Sequence, residues 1–148
     1  MSRVILKKVK KSFGDFVALH ELDLDIQEGE FLTLLGPSGC GKTTTLRLVA
    51  GFIEPTNGSI LLGDQDVTQV APQHREIGMV FQDYALFPHM TIADNIGFGL
   101  KERRYPKNDI NERVRELLDL IRLPEVHDRY PAEVSGGQQQ RIAVARAV

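Results

Sequence analysis

The sequence predicts an α/β fold, and three patterns carry that prediction. Leu22, Leu24 and Ile26 alternate with Asp23 and Asp25, the period of a strand with one wet face. Phe31-Leu32-Thr33-Leu34-Leu35 is almost continuously apolar and runs into a glycine-rich segment. A run of that kind suits a strand covered on both faces, as in a parallel sheet. Beyond Pro88, the residues Ile110, Val114, Leu117, Leu118 and Ile121 recur on one face of a helix.

The elements follow in order. Gly14-Asp15 and Glu28-Gly29 supply turns on either side of the alternating stretch, so the first thirty residues read as short antiparallel strands. Thr43 to Ala50 reads as a helix that stops at Gly51. Ser59 to Leu62 and Ile77 to Phe81 read as further strands, the second weakened by Gly78. Pro124 follows the end of the 110–121 helix. Ser135 caps a last helix, and Gln138 three residues later completes a capping box. There is no internal repeat and no low-complexity stretch.

Composition narrows the class. At 148 residues, 42% apolar and 26% charged, the chain has the makings of one globular domain. A net charge of −2 gives no nucleic-acid signature. Cys40 is the single cysteine, which excludes an internal disulfide framework and a multi-cysteine zinc site. His20, His74, His89 and His127 lack metal-ligand spacing. No apolar run reaches the roughly 18–20 residues that span a bilayer. Met1 to Lys8 lacks the long apolar stretch of a secretory signal. The expectation is a soluble, cytoplasmic chain. The basic clusters Lys7-Lys8, Lys10-Lys11 and Lys101-Arg103-Arg104 read as solvated faces.

Gly36-Pro37-Ser38-Gly39-Cys40-Gly41-Lys42-Thr43 matches G-x-x-x-x-G-K-[ST], the Walker A pattern. Glycines let the backbone curl with its N–H groups around a phosphate, and the helix N-terminus adds roughly half a positive charge. Lys42 can reach the β and γ phosphates, and the Thr43 hydroxyl can ligate Mg²⁺. Average residue usage makes a chance match roughly 0.5% over this length, so a plain glycine turn does not explain it. The motif also lies between a buried-type strand and a helix, as the chemistry requires.

Val134-Ser135-Gly136-Gly137-Gln138-Gln139-Gln140-Arg141 is a second glycine-softened, serine-capped helix start, and thus another place for an anion. Together with the Walker A pattern it resembles the signature motif of the ATP-binding subunits of ABC transporters. Val134 stands where that family usually has leucine, an exchange of one apolar residue for another. The resemblance extends along the whole chain in the right order. It implies a P-loop NTPase fold of the ABC ATPase kind, with an N-terminal antiparallel β subdomain, a RecA-like core and a helical subdomain. Residues 1–30 would form the first, 31–87 part of the core, and 88–148 the helical subdomain.

The same resemblance assigns roles. Gly36, Pro37, Ser38, Gly39, Cys40, Gly41, Lys42, Thr43 and Thr44 would bind nucleotide, with Phe13 stacking on the adenine. Gln82, in Val80-Phe81-Gln82-Asp83-Tyr84, looks like the glutamine that contacts Mg²⁺ and the attacking water. Lys42 and Gln82 would thus serve catalysis, and Thr43 and Gln82 the metal. Ser135, Gly136, Gly137 and Gln138 would face ATP held by a second ATP-binding subunit. Tyr84 to Thr91 looks like the segment that lines a groove for a membrane permease subunit, with a solute-binding protein involved indirectly. The family often carries cysteine at the Cys40 position, so no chemical role is expected of its thiol.

No apolar run ending in Asp-Glu follows the Walker A motif, so the expected Walker B strand, catalytic glutamate and switch histidine are not in this sequence. The expectation is an incomplete core, a truncated chain and an inactive fragment. The resemblance is closest to spermidine/putrescine importer subunits, with ferric-iron and aminoethylphosphonate importer subunits almost as close. Two alternatives stay open: a soluble ABC-type ATPase acting on nucleic acid or ribosomes, and a truncated product that only binds nucleotide.

Overall fold

The computed structural model describes residues 2–148. Two strands open the chain, β1 (Val4–Phe13) and β2 (Phe16–Ile26), joined by the two-residue turn Gly14-Asp15. Gly14 supplies the positive φ of 56° that a tight hairpin turn needs. The strands pair antiparallel from Phe13↔Phe16 to Val4↔Ile26. Arg3 forks onto the Asp25 carboxylate beside the open end, with Nε donating to Oδ1 at 2.7 Å. At Lys8 the backbone enters the left-handed region (φ 48°) and the register shifts between Leu6 and Val9, so β1 carries a bulge. Lys8 N–H donates to the Asp23 side chain at 2.8 Å there.

After α1 (Lys42–Val49), β3 (Asn57–Leu62) returns to pair antiparallel with β1, and the two-residue β4 (Gln65–Asp66) pairs with β3. The sheet order is β2-β1-β3-β4. Its inner face and α1 bury Leu6, Val9, Leu48, Ile60 and Val67, each at most 2% exposed. Side chains of that size contribute about 1.5–3 kcal/mol apiece on burial.

Gly78–Val148 forms a second compact unit with its own core. Thr91 caps α2 (Ile92–Glu102), its hydroxyl accepting from Asp94 N–H at 3.1 Å. Next come α3 (Lys107–Leu120), single 3₁₀ turns at Pro124–Val126 and Pro131–Glu133, and α4 (Gly136–Ala147). Ile92, Ile96, Val114, Leu118 and Ile142 bury the face that α2, α3 and α4 share. A Cβ on Gly97 would lie 2.9 Å from Ile110 Cγ2, so α2 lies close against α3 only because that position has no side chain.

Two expected strands are not strands. Neither Phe31–Leu35 nor the 77–81 stretch has a paired neighbour, and Phe31 and Leu35 are 92% and 87% exposed. An apolar run becomes a strand only where another strand takes its N–H and C=O groups. The sheet here is wholly antiparallel, and its pairs use none of these residues. The short N-terminal strands are instead one hairpin of 10- and 11-residue strands. The helix expected over 43–50 forms one residue earlier at each end, Lys42–Val49, with Ala50 as its C-cap.

Candidate functional site

The glycine loop closes on its own lysine. Lys42 Nζ donates to the carbonyls of Gly36 and Pro37, each at 2.7 Å, and lies 3.4 Å from Cys40 Sγ. The ammonium therefore sits inside the ring that residues 36–42 describe. Gly39 and Gly41 take positive φ values of 82° and 94°, which turn the chain into α1. Gly41 is the N-cap residue and offers no side chain to the helix. The first amides of α1 have no intrahelical carbonyl to bond, so they face outward as donors at the positive end of the helix dipole.

The loop is seated against β2. A Cβ on Gly41 would lie 3.1 Å from Leu19 Cδ1 and 3.2 Å from the Ala18 carbonyl. Thr45 anchors the first turn from below, its Oγ1 donating to the Gly41 carbonyl at 3.0 Å. Thr43 is exposed and Thr44 half-buried. At the hairpin turn Phe13 and Phe16 are 52% and 67% exposed. Lys11 Nζ lies 4.9 Å from the Phe13 ring centre. Phe13 is therefore not core, and the Lys11 ammonium lies over its ring.

The far end of α1 is held by Arg75, a residue the sequence reading did not single out. It is 4% exposed. Its guanidinium donates to the carbonyls of Leu48, Val49 and Val70 at 2.7–2.8 Å, and to Thr68 O at 3.3 Å. Burial lowers its pKa, and no carboxylate partners it among these bonds. A cation at the C-terminus of α1 complements the helix dipole. Its immediate sequence neighbours, Gln73, His74 and Glu76, are polar and give no sign of that burial.

In the second unit, Gln82 and Asp83 form the exposed tip of a turn closed by Tyr84 N–H donating to the Phe81 carbonyl at 3.0 Å. Tyr84 and Ala85 follow in the left-handed region, at φ 61° and 46°. The loop Phe87–Thr91 is organised by Asn95, which is fully buried. Its Oδ1 accepts from Phe87 N–H at 2.8 Å, and its Nδ2 donates to the carbonyls of Phe87, Met90 and Thr91 at 2.9–3.2 Å. No sequence motif marks the asparagine inside α2 that carries this loop.

The serine-capped helix start forms as expected. Ser135 Oγ accepts from Gln138 N–H at 3.4 Å, and Gln138 Oε1 accepts from Ser135 N–H at 2.8 Å. Val134 is buried behind it. Nothing lies within 4 Å of a Cβ built on Gly136 or Gly137. Each costs about 1 kcal/mol against alanine in a helix, yet no packing among the described residues calls for either.

Among the described residues no group of three or more His, Cys, Asp or Glu could hold a metal. No helix there is long and apolar enough to cross a membrane.

A glycine loop closing on a lysine at an uncapped helix start, with a β hairpin beside it, is the arrangement of a P-loop nucleotide-binding protein. The chain belongs to the ABC transporter family, whose family model matches residues 19–148. It is 57% identical over 143 residues to the spermidine/putrescine import ATP-binding protein PotA of Oleidesulfovibrio alaskensis. It is 56% identical over 149 residues to the sulfate/thiosulfate import ATP-binding protein CysA of Mesorhizobium japonicum. These matches cover 97% and 98% of this chain but only 38% and 43% of the relatives. Among solved structures it is similar to a dimeric post-hydrolysis state of the ATP-binding cassette MJ0796 bound to ADP and Pi, at a TM-score of 0.87 and 34% identity. That match covers 98% of this chain and 68% of the other. The fold is thus the ABC ATPase fold.

Proposed function

We propose that this chain is part of an ATP-binding subunit of an ABC importer, which hydrolyses ATP to drive solute uptake. The loop of Gly36 to Thr43, closed on Lys42 at the uncapped start of α1, carries the proposal. Its geometry suits a chain of phosphates: outward amides, helix-dipole charge and one ammonium on the loop's inner side. Lys42 would exchange its two loop carbonyls for the β and γ phosphates. Residues 36–44 would surround the nucleotide, and Phe13 would stack on the base.

We propose Mg²⁺ as the metal, with Thr43 and Gln82 as its protein ligands. The exposed Thr43 hydroxyl and the Gln82 side-chain carbonyl are hard oxygen ligands. Mg²⁺ commonly takes one or two protein ligands and completes its shell with phosphate and water. Bound there, it would neutralise charge developing on the phosphates.

Ser135, Gly136, Gly137 and Gln138 would meet ATP held by a second subunit, which the open space before both glycines favours. Tyr84 to Thr91 would receive a membrane permease subunit, placing the protein on the cytoplasmic side of the membrane. A solute-binding protein would act indirectly. Residues 1–30, 31–87 and 88–148 would be the antiparallel region, the P-loop part of the core and the helical subdomain. The solute we propose is a polyamine, in line with the spermidine/putrescine relatives. A sulfate/thiosulfate relative is almost as similar, because this subunit reads phosphates and not the solute.

The test is Lys42→Ala in the full-length protein. Alanine removes the point charge, and Mg²⁺-dependent phosphate release is expected to vanish. Hydrolysis within a few-fold of the parent overturns the assignment.

A further inference from the structure

The turn that carries Gln82 is seated at both its ends on the last turn of α4. On one side, a Cβ on Gly78 would lie 2.1 Å from the Ala147 carbonyl, so backbone meets backbone there. On the other, Arg146 Nη1 donates to the Ala85 carbonyl at 2.7 Å, and Nη2 donates to the Tyr84 carbonyl at 3.2 Å. The same guanidinium lies 5.3 Å from the Phe87 ring centre. Phe87 is in turn clamped by Asn95 on α2.

Tyr84 and Ala85 sit at positive φ, which residues with a Cβ adopt only when something holds them there. Arg146 is that hold. A planar fork can take two successive carbonyls at once, which an ammonium cannot do in the same geometry. Arg146 lies on the helix whose N-cap is Ser135, eleven residues away, or about 16 Å at the rise of an α-helix. Ser135 and Arg146 are thus joined by one unbroken helix.

We propose that Arg146 is a positioning residue that fixes the Gln82 turn to the far end of the helix opened by Ser135 to Gln138. Engagement of that helix start by a second subunit would then set where Gln82 stands. This rests on the proposed roles of Gln82 and the signature motif. It adds the residue that joins them.

The experiment compares Arg146→Met, Arg146→Lys and Gln82→Ala with the parent in the full-length protein, by ATP binding, phosphate release and thermal unfolding. Arg146→Met is expected to lower kcat about ten-fold and leave the KM for ATP within about two-fold, because the phosphate loop belongs to the other compact unit. Arg146→Lys keeps the charge but not the fork and is expected to lower kcat less. It carries the same comparison if the methionine variant does not fold. Adding Ala85→Gly to either variant is expected to recover at least about three-fold of the lost kcat, because glycine holds a positive φ unaided. A purely structural role for Arg146 would not respond to that addition, and no recovery overturns the proposal. A kcat within about two-fold of the parent for both Arg146 variants, beside a large loss in Gln82→Ala, overturns it too while leaving the function standing. An unchanged kcat in Gln82→Ala instead removes the role given to Gln82, and this inference with it.

Discussion

Gly51 and Arg75 compete for one space: a Cβ built on Gly51 would lie 2.6 Å from Arg75 Nε. Gly51 also takes φ 81° as the chain leaves α1. Alanine there meets both a backbone penalty and a guanidinium already committed to four carbonyls. Gly51→Ala is expected to destabilise the protein by about 3 kcal/mol in urea unfolding, and Arg75→Met by a similar amount because it leaves buried carbonyls without donors. A loss under about 1 kcal/mol for both would show that the end of α1 does not depend on this contact.

Asn95 should be as sensitive. Its side chain makes four hydrogen bonds to the 87–91 loop from a fully buried position. Asn95→Ala strands the Phe87 N–H and opens a small cavity, for an expected loss of about 3 kcal/mol. Hydrogen exchange at the Phe87 amide should accelerate together with the drop in stability. An amide that exchanges at the parent rate would show that another group holds the loop.

Gly137→Asp separates folding from assembly. Nothing lies within 4 Å of the added Cβ, so unfolding stability should stay within about 0.5–1 kcal/mol of the parent. A carboxylate there would oppose phosphate held by a second subunit. Light scattering of the full-length protein is expected to show loss of the ATP-dependent dimer with nucleotide binding retained. A dimer that still forms with ATP removes the proposed role of this helix start.

The Arg3–Asp25 pair gives the hairpin an acid-side dependence. The Arg3 hydrogen bond, aided by its charge, lowers the Asp25 pKa below its ordinary 3.8. A lowered carboxylate stabilises the fold fully above its unfolded value and loses that contribution as pH falls through the folded one. The parent and Asp25→Asn should therefore differ in Tm at about pH 6 and converge as pH falls through the lowered Asp25 value. Both side chains are exposed, so the difference should be small and should shrink with salt. A gap that persists at the acid end would mean that Asp25 acts through something other than its charge.

What the sequence settled by itself was local. The loop of Gly36 to Thr43 needs only glycines, a lysine and a following helix, and these lie side by side in the chain. The Ser135–Gln138 capping box spans four residues, and the Gly14-Asp15 turn needs only its own φ values. Each could be read because its cause lies within a few residues of its effect. The tertiary structure decided the rest. Phe31 to Leu35 has the composition of a buried strand, but a strand exists only where a neighbour bonds it, and composition does not name the neighbour. Arg75, Asn95 and Arg146 look like ordinary polar residues in sequence. Their roles come from the carbonyls they reach, 27 residues away for Arg75 to Leu48 and 61 for Arg146 to Ala85, and only folding brings those donors and acceptors within hydrogen-bond distance.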